Sequence, residues 1–289
     1  MKMLSKACEE LCDAECRLFN EEYNQFFVEG ETKPRDIGEP FLLNNPTSQV
    51  GILLIHGLMA APEEVREWAD YLFSKGYTVY ASRLAGHGTS SKDLSTRDYD
   101  AWMASVNRGQ KILNSCCDKI VIAGFSTGAG LALNQALNKP DDFEAVISIS
   151  APLQFKGNLV RLVEPLHQWN RFFKLLPLTV FQKEYVTNHP DNPHINYKRC
   201  PVKSLVEVRS LMKTVGRNLH RLSIPSLVIQ GKNDPKVDDR SGKNIFDRIS
   251  KFEKQYVEIE YHLHGIIRGK IACTVFDEVE QFLHRLFEK

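Results

Sequence analysis

From residue 50 onward the chain alternates short apolar runs with amphipathic stretches. "VGILLI" at 50–55 is apolar at almost every position, the pattern of a strand buried on both faces. Pro62 then predicts the start of an amphipathic helix, "PEEVREWADYLFSK", stopped by Gly76. "YTVYAS" reads as the next strand, followed by the Gly-rich turn "LAGHGTS" and a helix carrying Trp102, Val106 and Ile112. The strand "KIVIAG" leads through "GFSTGAG" into the helix "AGLALNQAL", and "AVISIS" forms a further strand. After a long interval come the strands "SLVIQG" and "YVEIEY" and the closing helix "CTVFDEVEQFLHRLF". Strands alternating with helices in this way predict an α/β protein: a mostly parallel sheet with helices on both faces.

Two segments break the rhythm. Residues 1–29 predict a helix with Leu4, Leu11, Leu18, Phe19, Tyr23 and Phe26 on one face. Between "SISAP" and "IPSLVIQ" the alternation stops, and Leu159, Leu162, Leu166, Trp169, Phe172, Phe173, Leu175, Leu176, Leu178 and Phe181 crowd together before the polar, Pro-rich "NHPDNPHINYKRCP". So apolar an insertion is too long for a simple loop. It is expected to be a helical cap that also lines a hydrophobic pocket. The expected organisation is an N-terminal helical extension at 1–45, a core at 46–152 and 216–289, and a cap insertion at 153–215.

Composition narrows the function classes. A net charge of +1, without a basic cluster interleaved with aromatics, argues against nucleic acid as a partner. No apolar run approaches the length that spans a bilayer, so integral membrane association is not expected. The N-terminus "MKMLSKAC" lacks the apolar region of a secretory leader, which makes the cytoplasm the expected compartment. The seven cysteines do not form a disulfide framework. Cys8, Cys12 and Cys16 lie four apart without the C-x-x-C pair and second ligand cluster a metal site requires, and they are read as packing residues.

Ser126 stands between Gly124 and Gly128 where a strand gives way to a helix. A serine hydroxyl becomes a nucleophile only when a base takes its proton and an acid orients that base. In an open parallel sheet such groups converge at the carboxyl ends of strands. Asp234 follows "SLVIQG", and His262 and His264 follow "YVEIEY", giving the order serine, acid, histidine. Gly124 and Gly128 remove side chains that would collide at a tight elbow, and Ala129 with Gly130 is expected to let the next helix approach the sheet. A tetrahedral oxyanion needs two backbone N–H donors. Thr127, directly after the serine, and Leu58, in "HGLMAAPEE" after the first parallel strand, are placed to supply them. His56 comes too early in the chain for the base and is read as shaping that loop.

Together "LLIHGL", "SRLAGHGTS", "DAWMASV", "GFSTGAG", "GKNDPKV" and "HLHGI" resemble the α/β-hydrolase fold, within it the carboxylesterase and monoacylglycerol-lipase branch, over about residues 48–289. The resemblance implies Ser126 as nucleophile, Asp234 as acid, His264 rather than His262 as base, and Leu58 and Thr127 as oxyanion donors. It implies a serine hydrolase cleaving small-molecule carboxylic esters with an apolar acyl group, without cofactor or metal, as a monomer or homodimer. A thioesterase or acyltransferase would use the same triad. A non-catalytic ligand receptor could keep it as well. Dehalogenase chemistry, which uses an aspartate nucleophile on this fold, is excluded by Ser126. The extension has no counterpart in that pattern, and Thr127 stands where many relatives carry Met or Leu.

Overall fold

The computed structural model describes residues 4–156, 165 and 184–287. Trp169 and the other apolar residues named above between Leu159 and Phe181 lie outside them. Seven strands form one sheet in the order β1-β3-β2-β4-β5-β8-β9: β1 Phe41–Leu43, β2 Val50–Ile55, β3 Thr78–Ser82, β4 Lys119–Phe125, β5 Ala145–Ile149, β8 Ser226–Lys232 and β9 Lys254–Glu260. All neighbours pair parallel except β1, which pairs antiparallel with β3. A small antiparallel pair, β6 Tyr185–Thr187 and β7 Arg199–Pro201, lies within the stretch read as the cap.

Period-two alternation divides the strand residues between two cores. Leu53, Ile55, Ile120 and Ile122 face one side, against α5 Tyr99–Asn114 and α6 Thr127–Asn138. Ile52, Leu54, Val121 and Ala123 face the other, against α3 Arg66–Ser74 and α9 Ala272–Phe287. Covering both faces is why these strands are apolar throughout, and it leaves the carboxyl edge of the sheet as the place where polar groups gather.

Several boundaries differ from those the sequence predicts. Phe41–Leu43, inside the stretch expected to be a separate extension, is the sheet's antiparallel edge strand. Pro62 opens a 3-10 turn, Pro62–Val65, and α3 begins only at Arg66. Gly76 does stop the chain there, at φ 95°. The helix α7, Val202–Asn218, runs past residue 215 and packs Val208, Leu211, Met212 and Val215 into the same core as α6. Gly130 serves that helix pairing rather than the approach to the sheet. A Cβ there would stand 2.5 Å from Met212 Sδ.

The N-terminal helix α1, Lys6–Gln25, is bound to the core. It buries Cys8, Phe19 and Tyr23, while Cys12 and Cys16 are half-buried. Burial pushes the Cys12 thiol up to about 12, so it stays protonated and unreactive at neutral pH. From the same helix Glu22 meets the buried Arg83 and also Arg97 at 2.9 Å, and Glu15 meets Arg108 at 2.6 Å. Glu22→Ala would leave the Arg83 guanidinium, 2% exposed, without this counter-charge. We expect urea unfolding to register a loss of about 3 kcal/mol, the typical cost of stranding one half of a buried pair. A loss below about 0.5 kcal/mol, the range of ordinary surface substitutions, would mean that α1 only rests on the core.

Candidate active site

β4 ends at Phe125 and α6 begins at Thr127, so the whole reversal falls on Ser126. Its backbone sits at φ 55°, ψ −120°, a conformation disfavoured for a residue with a side chain. The surroundings hold it there: Ser126 N–H donates to Ile149 O at 2.8 Å. A Cβ on Gly124 would lie 2.2 Å from Gly128 O, and one on Gly128 would lie 2.1 Å from Ile55 O. Only glycine permits this approach of helix to sheet at those two positions.

Beyond β5, the strands β8 and β9 bring the acid and the histidine to the same edge. After β8, Asn233 turns the chain at φ 64° and presents Asp234, which is fully buried. Asp234 Oδ1 accepts from Lys236 N–H at 2.7 Å and Val237 N–H at 3.0 Å. Its Oδ2 lies 2.6 Å from His264 Nδ1. Burial works to raise the Asp234 pKa, but the His264 hydrogen bond and charge, with the two backbone donors, outweigh it and hold the carboxyl below its usual value. As an acceptor, the carboxylate fixes the proton on Nδ1. His264 Nε2 is then free to accept, and it lies 2.9 Å from Ser126 Oγ. Phe125 packs its ring 4.9 Å from the imidazole. His262 is exposed, its ring tilted at 45° to that of Tyr261, and takes no part in this cluster.

Leu58 and Thr127 both line the cavity of about 270 Å³ that opens on Ser126. Thr127 is the first residue of α6, so its N–H has no intrahelical acceptor. Leu58 lies in the loop after β2, which is anchored from both sides. His56 Nε2 accepts from Leu84 N–H at 3.2 Å, which leaves Nδ1 to donate to Gly57 O at 2.9 Å. Complete burial brings the His56 pKa down to about 4, so the ring is neutral and acts as a strut.

Sequence reasoning missed the second anchor. Glu64, given no role in the amphipathic helix that the pattern predicts, is buried and accepts Gly57 N–H at 2.7 Å. Its carboxyl also meets the Asn196 side chain, and burial pushes its pKa up. Asn196 belongs to the stretch 188–197, which closes over the cavity; Tyr197 N–H donates to Met59 O at 3.0 Å, and Asp191 accepts Gly265 N–H at 3.1 Å. Among the described residues no cluster of His, Cys, Asp and Glu is arranged to hold a metal ion, and no helix is long and apolar enough to cross a membrane.

Residues 47–270 match the family described as serine aminopeptidase, S33. The chain is 29% identical over 234 residues to a thermostable monoacylglycerol lipase of Bacillus sp. strain H-257, covering 78% of this chain and 86% of that one. It is 24% identical over 236 residues to a carboxylesterase of Bacillus subtilis strain 168, covering 81% and 92%. In fold it is similar to the monoacylglycerol lipase of Paleococcus ferrophilus, with a TM-score of 0.70 and 18% identity over 86% of this chain and 98% of that one. With the family matched over most of its length and the doubly covered parallel sheet in place, the chain belongs to the S33 serine aminopeptidase family of α/β hydrolases, on its carboxylesterase and monoacylglycerol-lipase branch.

Proposed function

We propose that the protein is a serine hydrolase that cleaves carboxylic esters with an apolar acyl group. The observation that carries this reading is the Ser126–His264–Asp234 chain of short contacts, built on a serine whose strained backbone holds its hydroxyl toward a cavity. In the proposed reaction Ser126 Oγ attacks the ester carbonyl carbon while His264 Nε2 takes its proton. The oxyanion of the tetrahedral intermediate is received by the N–H groups of Leu58 and Thr127. Collapse of the intermediate breaks the bond to the alcohol, which leaves with the proton from His264. A water molecule, deprotonated by His264, then attacks the acyl carbon; the bond to Ser126 Oγ breaks, the acid leaves, and His264 returns the proton to Oγ.

The surroundings support an ester with an apolar acyl group. Leu58, Met59, Phe155, Val186, Leu205 and Val237 are among the residues that line the cavity. Phe155, Val186 and Leu205 come from the stretch 153–215, which supports its reading as a cap over the site. The names of the curated relatives, a lipase and a carboxylesterase, point the same way. A thioester or an acyl transfer would use the same groups, differing only in leaving group or acceptor.

Two sets of variants test the proposal. With an aryl ester, Ser126→Ala and His264→Ala are each expected to reduce kcat by several orders of magnitude, leaving a residue roughly 10³-fold above water from the oxyanion donors and binding. His262→Ala is expected to keep most of the turnover. Near-full activity in Ser126→Ala, or a larger loss in His262→Ala than in His264→Ala, would reject the assignment.

The apolar wall makes its own prediction. Leu205→Trp fills space next to the acyl group, so kcat/KM for a decanoate ester should fall roughly 10-fold relative to the acetate ester. Equal losses across a p-nitrophenyl ester series would place the acyl chain elsewhere.

A further inference from the structure

A hollow of about 650 Å³, larger than the one that opens on Ser126, lies apart from it. It is a groove between Pro152–Phe155, one face of α7 and the end of α8, Arg240–Arg248, and ester hydrolysis gives it no role. Arg209, Lys213 and Arg217 follow one another at four-residue spacing on α7, so they share a face, and Arg248 reaches in from α8. All four are exposed. Gly216 allows the close approach: a Cβ there would stand 2.9 Å from Leu153 Cδ1 and 3.5 Å from Arg248 Nη1.

Among the described residues no acid lines this groove. The acids on neighbouring elements are engaged elsewhere. Glu207 accepts Tyr99 N–H at 3.3 Å, Asp239 pairs with Lys156 at 2.7 Å, Asp238 with Arg240, and Asp247 with Lys243. Lys213 and Arg217 make no ion pair among the described residues, and Arg248 has only a long contact, 3.4 Å, to Gly216 O. Four cations thus line one concavity of a chain whose net charge is +1. Walls of low dielectric concentrate the field of Lys213, Arg217 and Arg248, and a multiply charged anion relieves their mutual repulsion. Arginine forks match the geometry of phosphate oxygens. A bilayer surface is flat and meets basic residues on convex patches, whereas these line a hollow.

We propose that this groove binds a phosphate-bearing ligand of two or more negative charges, held by Lys213, Arg217 and Arg248. Phe155 lines both this groove and the catalytic cavity, so the anion can belong to the leaving group of a substrate or to a separate ligand. The site itself does not rest on the hydrolase reading; only assigning its anion to a substrate does.

Calorimetric titration with inorganic pyrophosphate tests the groove without reference to catalysis. The full chain is expected to bind it, and Lys213→Ala/Arg217→Ala/Arg248→Ala to bind roughly 100-fold more weakly, as loss of charge-assisted contacts implies, with unchanged Tm and p-nitrophenyl butyrate turnover. Should the triple variant lose its fold, Arg217→Glu alone, on an exposed helix face, must still weaken binding. No binding by the native protein, or equal affinity in the variants, overturns the proposal. So does attachment to phosphatidylglycerol vesicles without pyrophosphate binding, which would make the stripe a membrane contact. The source of the anion follows from octanoyl coenzyme A and its phosphate-free analogue, S-octanoyl-N-acetylcysteamine. A kcat/KM loss confined to the former assigns the phosphates to the substrate, whereas equal kcat/KM values with lost pyrophosphate binding assign them to a separate ligand. If neither thioester is turned over, the thioesterase reading fails, and pyrophosphate binding still decides the groove.

Discussion

The junction of β4 and α6 can form only because two side chains are missing. The carbonyls of Gly128 and Ile55 occupy the positions where Cβ atoms of Gly124 and Gly128 would stand. That contact presses the helix onto the sheet and forces the single residue between them into a positive φ. A left-handed conformation at a non-glycine residue costs of order 1–3 kcal/mol, which the fully buried strands on either side supply. The rest of the site follows from it. Ser126 projects beyond the sheet edge, the first N–H of α6 is left without a helical acceptor, and Ile55 ends β2 next to the loop that carries Leu58.

The parallel sheet turns this local strain into a three-residue cluster. In register, Phe125 lies beside Ile149 and Ile149 beside Ile229, so β4 and β5 finish at one level, while β8 runs on through Gln230–Lys232 with β9 paired along its whole length. Residues far apart in sequence are therefore delivered to a common edge, within hydrogen-bonding distance. Side-chain chemistry then sets direction. Asp234, saturated by backbone donors on Oδ1, has only Oδ2 to offer the imidazole, which orients the ring and its proton. The loop after β2 is kept in place by a neutral histidine and a buried glutamate rather than by regular structure.

Much of this was legible in the sequence because burial on both faces leaves unbroken apolar runs, and because acid and histidine each follow such a run. What was not legible shares a physical cause: it depends on partners distant in the chain. Phe41–Leu43 is too short to show a period, and only pairing with β3 makes it a strand. Glu64 has no visible task until the Gly57 N–H is brought to it. Gly130 looks like a residue serving the sheet until α7 packs against α6. Arg209, Lys213 and Arg217 stand at helical spacing, but the hollow exists only once Arg248 and Leu153 are brought to that face. Distances between Ser126, Asp234 and His264 likewise belong to the sheet register and not to any local pattern.

The central claim is that Ser126 is the nucleophile, activated through His264. Covalent modification by a fluorophosphonate, read by intact-protein and peptide mass spectrometry, addresses it most directly, because the reagent phosphonylates only an activated serine hydroxyl. The account predicts one equivalent per chain, mapped to Ser126, absent in Ser126→Ala and strongly slowed in His264→Ala. An adduct on another residue, or a native protein that binds apolar esters yet neither labels nor turns them over, would contradict it.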